Sequence, residues 1–212
     1  MKVWHFGDLG VPAFSFVNWV SHAFEAEQTQ HIFYAGFDGE IYEIWWPRGG
    51  SSHSSAITTG AGAFGPITSH VFDQENTQHV FYQASDGHII ELWWMHGEKP
   101  NSGKLTEGNG APLAMRFFST KGIPLTSHVF SDDLSQHVFY TSEKGHLIEL
   151  WWRPSDVVPQ VKDLNLRSGA PLPSLIGGPT GSVASHVFGN TQHVFYEAYG
   201  IQKVKNNGHA SP

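Results

Sequence analysis

Cysteine is absent from the 212 residues, which removes disulfides, thiolate metal sites and a cysteine nucleophile from consideration. Charge is also sparse: 15% of the residues are charged, and 19 acidic against 12 basic side chains leave a net charge of −7. No run of Lys or Arg could neutralise a line of phosphates, so nucleic acid is excluded as a partner. The chain has no apolar stretch of the about 18 residues that a membrane span needs, and the first residues, Met1-Lys2-Val3-Trp4-His5-Phe6-Gly7-Asp8, carry no apolar signal core. The expectation is a soluble chain without membrane insertion, cytoplasmic or secreted without a standard signal peptide. Gly-x-Ser-x-Gly elbows, phosphate loops, His-Glu-x-x-His and dinucleotide fingerprints are missing as well, so no catalytic residue and no cofactor is assigned.

What the chain does have is aromatic side chains, 14% of the total, with 23 Gly and 12 Pro. That composition suits many short strands joined by turns and predicts an all-β fold. The length fits one domain over residues 1–212.

One unit recurs four times. Ser21-His22, Ser69-His70, Ser127-His128 and Ser185-His186 each open an aromatic strand, at intervals of roughly 50 to 60 residues. Each is followed by a polar turn and a second strand, Gln-His-(Ile/Val)-Phe-Tyr, beginning at Gln30, Gln78, Gln136 and Gln192. Three units continue through Asp38-Gly39, Asp86-Gly87 or Lys144-Gly145 into a third strand: Ile41-Tyr42-Glu43-Ile44-Trp45-Trp46, Ile89-Ile90-Glu91-Leu92-Trp93-Trp94 and Leu147-Ile148-Glu149-Leu150-Trp151-Trp152. The glycines supply the positive φ of a tight hairpin, which makes these strands antiparallel neighbours. A weak fourth strand is placed at Lys104–Pro112 and Lys162–Pro171, with a degenerate copy around Ala56–Phe64.

Four such units predict a four-bladed β-propeller, each blade a four-stranded antiparallel sheet. The blades are about 13–64, 65–114, 115–173, and 174–208 together with 2–9. The fourth unit runs out after Asn207, and residues 2–9 are expected to close the ring as the outer strand of the C-terminal blade, because an open stack leaves unpaired edges and an uncovered apolar face.

The candidate ligand-binding set is His31, Glu43, Trp45 and Trp46, with the equivalents His79, Glu91, Trp93 and Trp94, and His137, Glu149, Trp151 and Trp152. Carboxylate and imidazole hydrogen-bond sugar hydroxyls, and an indole face stacks on the C–H face of a pyranose. An ionised carboxylate within an apolar strand is costly unless it is paired or faces a ligand. Alternation puts Glu91 and Trp93 on one face and Leu92 and Trp94 on the other, so one indole of each doublet packs inside the stack and the other is free to reach a cleft. The same residues also suit packing elements held in every unit by symmetry. A second set, His22, His70, His128 and His186, lies on the strand nearest the expected axis, where it serves either as structural histidines bonded to neighbouring backbone or as an ion site. In the fourth unit, Tyr199–Asn207 aligned with Asp86–Trp94 lacks the Glu and both Trp, which leaves at most three full sites.

Gln-His-Val-Phe-Tyr, a turn ending in Asp-Gly and then Ile-x-Glu-x-x-Trp resembles the blade repeat of the fucose-binding β-propeller lectins of fungi and bacteria. The resemblance implies a sugar held between blades by a basic residue on the second strand, a Glu on the third and aromatic residues of adjacent blades. It maps the Glu to Glu43, Glu91 and Glu149, and the aromatic to Trp46, Trp94 and Trp152. His31, His79 and His137 take the family's arginine position. Blade number departs as well, four here against six in the best-known members. The leading expectation is a multivalent carbohydrate-binding lectin with glycans as partners. A protein-interaction scaffold, using the loops 47–65, 95–112 and 153–181, is the alternative. An enzyme working with His and Glu in an axial or end-face pocket comes third.

Overall fold

A computed structural model describes residues 19–95, 97–115, 124–173, 182–198 and 209–210. The first sheet contains β1 (Trp19–Phe24), β2 (Thr29–Ala35), β3 (Ile41–Pro47) and β4 (His53–Ala56). The second contains β5 (Ala63–Phe72), β6 (Thr77–Ala84), β7 (Ile89–Met95) and β8 (Asn101–Lys104). The third contains β9 (Leu125–Phe130), β10 (Ser135–Thr141), β11 (Leu147–Trp152) and β12 (Gln160–Asp163). In the fourth, β13 (Val183–Phe188) and β14 (Thr191–Tyr196) are joined by a two-residue β15 (His209–Ala210). All four are antiparallel and ordered as the chain runs, three of four strands and one of three.

The hairpins follow from local chemistry. Gly39, Gly87 and Gly145 adopt φ of 80°, 88° and 76° between the second and third strands, the left-handed conformation that glycine takes without a Cβ penalty. Between first and second strands the same conformation falls on non-glycine residues, Gln28, Asn76 and Leu134, at φ 56°, 52° and 58°.

Each core is a seam between consecutive sheets. Phe33 and Ile41 of the first sheet pack with Val80, Tyr82, Ile90, Leu92 and Trp94 of the second. Phe81 and Ile89 of the second repeat this with Val138, Tyr140, Ile148, Leu150 and Trp152 of the third. Phe139 and Leu147 of the third meet Val194, Tyr196 and Ala198 of the fourth. Alternation along each strand sends one apolar set forward and the other back, so a middle sheet is buried on both faces. The first strands line up side by side, β1 on β5, β5 on β9 and β9 on β13. Among the described residues β13 and β1 do not pack on each other to a comparable extent.

Three expectations change. The fourth strands end where they had been placed to begin: Asn101–Lys104, Gln160–Asp163 and His53–Ala56 are the paired segments. They are polar and largely exposed, and so carry no apolar alternation to read. After β12 the chain turns into a short helix, α1 (Leu164–Ser168), capped by the Asp163 carboxylate, which accepts from the backbone N–H of Asn165 and Leu166, and ended by Gly169 at φ 61°. This is the expected response of Asp at an N-cap and Gly after the last turn. Finally, Gln192 faces His209 as Gln78 faces Trp94, two residues later than the alignment that set Asn207 opposite, so the fourth unit extends beyond Asn207. Residues 2–9, on which the expected ring closure rests, lie outside the described residues.

Candidate functional site

The second and third strands of the first three sheets place three polar groups on one face. His31, His79 and His137 sit opposite Trp45, Trp93 and Trp151, and Phe33, Phe81 and Phe139 sit opposite Glu43, Glu91 and Glu149. His31 Nδ1 donates to Glu43 Oε1 at 2.7 Å, His79 to Glu91 at 2.8 Å and His137 to Glu149 at 2.9 Å. The other ring nitrogen, Nε2, lies 2.8 Å from the hydroxyl of Thr29, 2.8 Å from that of Thr77 and 2.7 Å from that of Ser135. All nine residues are buried, and mutual hydrogen bonding offsets the cost of removing them from water.

Hydroxyl, imidazole and carboxylate in a line have the order of a nucleophile relay. Ser135, however, is 1% exposed, and an acyl group cannot reach a hydroxyl sealed between sheets. What this chain of bonds does is fix the carboxylates: Oε1 is held, and the Oε2 atoms of Glu43 and Glu91 make no hydrogen bond to a described residue. In the third sheet Lys162 Nζ lies 3.6 Å from Glu149 Oε2. Burial pushes the Glu149 carboxyl up, but His137 and Lys162 outweigh it and the net direction is down.

The two indoles of each doublet separate. Trp94 and Trp152 are 4% and 9% exposed and pack edge-on against Phe33 and Phe81 of the preceding sheet, with centroids 5.9 and 6.0 Å apart. Trp45, Trp93 and Trp151 remain half-buried, as does Trp46. Their neighbours differ from sheet to sheet. His53 stacks on Trp45 at 4.5 Å. Gly103 lies beside Trp93, where an added Cβ would come within 3.4 Å of the ring. The Arg153 guanidinium sits 5.3 Å over Trp151 and donates to Asp133 Oδ2 at 2.6 Å.

The Ser-His histidines clasp successive sheets together. His22 Nε2 donates to Gln78 Oε1 at 3.1 Å, His70 to Gln136 at 2.9 Å and His128 to Gln192 at 3.2 Å. Nδ1 of His22 and of His128 meets the Ser69 and Ser185 hydroxyls at 3.0 and 2.9 Å. Burial lowers the pKa of His22 and of His128 to about 4 and that of His70 well below its ordinary value, with neighbouring imidazoles adding to the shift and the Gln hydrogen bonds opposing it. Their partners are side chains of the next sheet. The described residues contain no group of three or more His, Asp or Glu able to hold a metal ion.

Two further sets of residues belong to this network without standing among the candidate residues above: the glutamines preceding each Gln-His histidine, and the hydroxyls of Thr29, Thr77 and Ser135 before them. The signal was present, since Thr-Gln-His or Ser-Gln-His stands at all four second strands, and a hydroxyl two residues from an imidazole shares its face.

No protein-family model matches the sequence, and no curated protein matches it either. Solved structures do resemble the fold. The SapL1 lectin, solved with alpha methyl fucoside, is 14% identical, with a TM-score of 0.63 over 92% of this chain and 65% of its own. The six-bladed β-propeller lectin of Aleuria aurantia is 18% identical, with a TM-score of 0.61 over 96% of this chain and 66% of its own. AofleA from Arthrobotrys oligospora is 11% identical, with a TM-score of 0.57 over 92% of this chain and 57% of its own. The chain thus spans less than two thirds of the length of each of these three structures, and its four repeated sheets have the fold of part of a six-bladed β-propeller lectin.

Proposed function

We propose that the chain is a carbohydrate-binding lectin, its sheets serving as propeller blades and its sugar sites lying in the clefts between them. The observation that carries this reading is Glu91, whose Oε1 is held by His79 while its Oε2 makes no bond to a described residue, on the same face as the half-buried Trp93. A fixed acceptor and an aromatic surface on one face are what a pyranose needs: hydroxyls for the carboxylate and a C–H face for the indole. Likeness in fold to lectins, one of them solved with alpha methyl fucoside, supports glycans as the ligand class. The set is His31, Glu43 and Trp45, then His79, Glu91 and Trp93, then His137, Glu149 and Trp151, with Trp94 and Trp152 forming the far walls of the first two clefts. Several weak sites on one chain gain strength on a glycan-coated surface.

Binding to a glycan array, competed by a free monosaccharide with α-methyl fucoside as the first competitor, is the expected result. Glu91→Gln should weaken the second site most visibly, because there the fourth strand offers only Gly103 beside the indole. Absence of binding to every glycan tested would overturn the reading.

A further inference from the structure

Three seams within the chain are built alike, and each needs a giving face and a receiving face. The giving face supplies the Ser-His imidazole and the central Phe: His22 and Phe33, His70 and Phe81. The receiving face supplies Ser and Gln, and in the second and third sheets the Trp that covers the Phe: Ser69, Gln78 and Trp94, for example. Four sheets in a row use three faces of each kind and leave one of each over.

Both unused faces are open. On the first sheet Ser21 and Gln30 are exposed and Trp46 is half-buried, although Gln78 and Gln136, at the same place, are buried. On the fourth sheet His186 is exposed and Phe195 is half-buried, whereas Phe33, Phe81 and Phe139 are closed off completely or nearly so. Phe188 is 77% exposed although Phe24, Phe72 and Phe130 are buried. No hydrogen bond joins the side chain of Ser21, Gln30 or His186 to another described residue.

We propose that a second copy of this chain docks head to tail, its first sheet against the fourth sheet of its neighbour, remaking the seam with His186 on Gln30 and Ser21 and with Phe195 under Trp46. The two faces are complementary by construction, since each is the counterpart of one that already fits three times. Within one chain they are not brought together as the other pairs are: the sheets have the fold of part of a six-bladed wheel, and among the described residues β13 and β1 do not pack on each other to the extent that β1 and β5 do. Such a contact is heterologous, so a pair still carries one face of each kind and association continues with concentration unless a ring closes.

The test is the mass of the intact chain in solution across a concentration series, by light scattering or sedimentation. Dimers and larger multiples that grow with concentration are expected. His186→Ala and Gln30→Ala, both at exposed positions and therefore harmless to each chain's own fold, should each weaken association about tenfold. Because the chain has no cysteine, Ser21→Cys with His186→Cys introduces the only thiols. A short thiol-specific cross-linker should then give covalent dimers on a denaturing gel. A bridge formed within one chain, or a monomer at every concentration, would overturn the proposal. The outcome is independent of sugar binding.

Discussion

The second and third sheets differ from the first and fourth in what lies on either side of them, although all four come from one repeat. β6 and β10 are buried along almost their whole length, whereas the equivalent β2 and β14 are interrupted by exposed or half-buried positions. Phe195 and Phe81 occupy the same place in the pattern, as do Gln30 and Gln78, yet only the inner member of each pair is enclosed. The same residue is a core element in one sheet and a surface element in another. A repeat therefore specifies a face, and burial depends on having a neighbour.

The sharpest way to test that contrast is Phe81→Ala against Phe195→Ala. The first should lose about 3–5 kcal/mol of stability in denaturant titrations, while the second loses clearly less at concentrations where the chain is monomeric. Acid comes next. His22, His70 and His128 have folded pKa values below the ordinary 6.5, so the unfolded chain binds more protons between 6.5 and about 4. Their contribution is fully present above 6.5 and falls away as pH drops toward 4, which melting temperatures measured across that range should show. Replacing His70 by Gln should flatten the dependence. Third, Gln78→Ala leaves the half-buried His22 Nε2 without its acceptor and should cost about 1–3 kcal/mol, against roughly 0.5 or less for Gln30→Ala in the monomer. The turns come last: Leu134→Gly removes a Cβ from a left-handed residue and should add about 1 kcal/mol, whereas Gly145→Ala, at φ 76°, should subtract a similar amount.

The sequence showed those features whose cause is local. Gly39, Gly87 and Gly145 marked their hairpins because positive φ demands glycine, and the Glu and Trp strands were legible from alternation. Asn101–Lys104 was misplaced because an exposed outer strand has no buried face to reveal it. The candidate Glu side chains were visible, but the His79 bond that holds Glu91 spans two strands, and the His22 to Gln78 bond spans two sheets. Contacts of that kind depend on how sheets are set against each other, which no window of residues contains. The indole doublets could be divided only once Phe33 and Phe81 showed where Trp94 and Trp152 are spent.

The uniform clasp has an evolutionary consequence. Since every junction uses the same imidazole-to-glutamine handshake, a unit can be duplicated or deleted and the flanking units will still recognise each other. A gene built this way can change its number of units in a single step without a period of misfolded ancestors, and selection is left to act on the one strand where Ser55, Gly103 and Lys162 already differ.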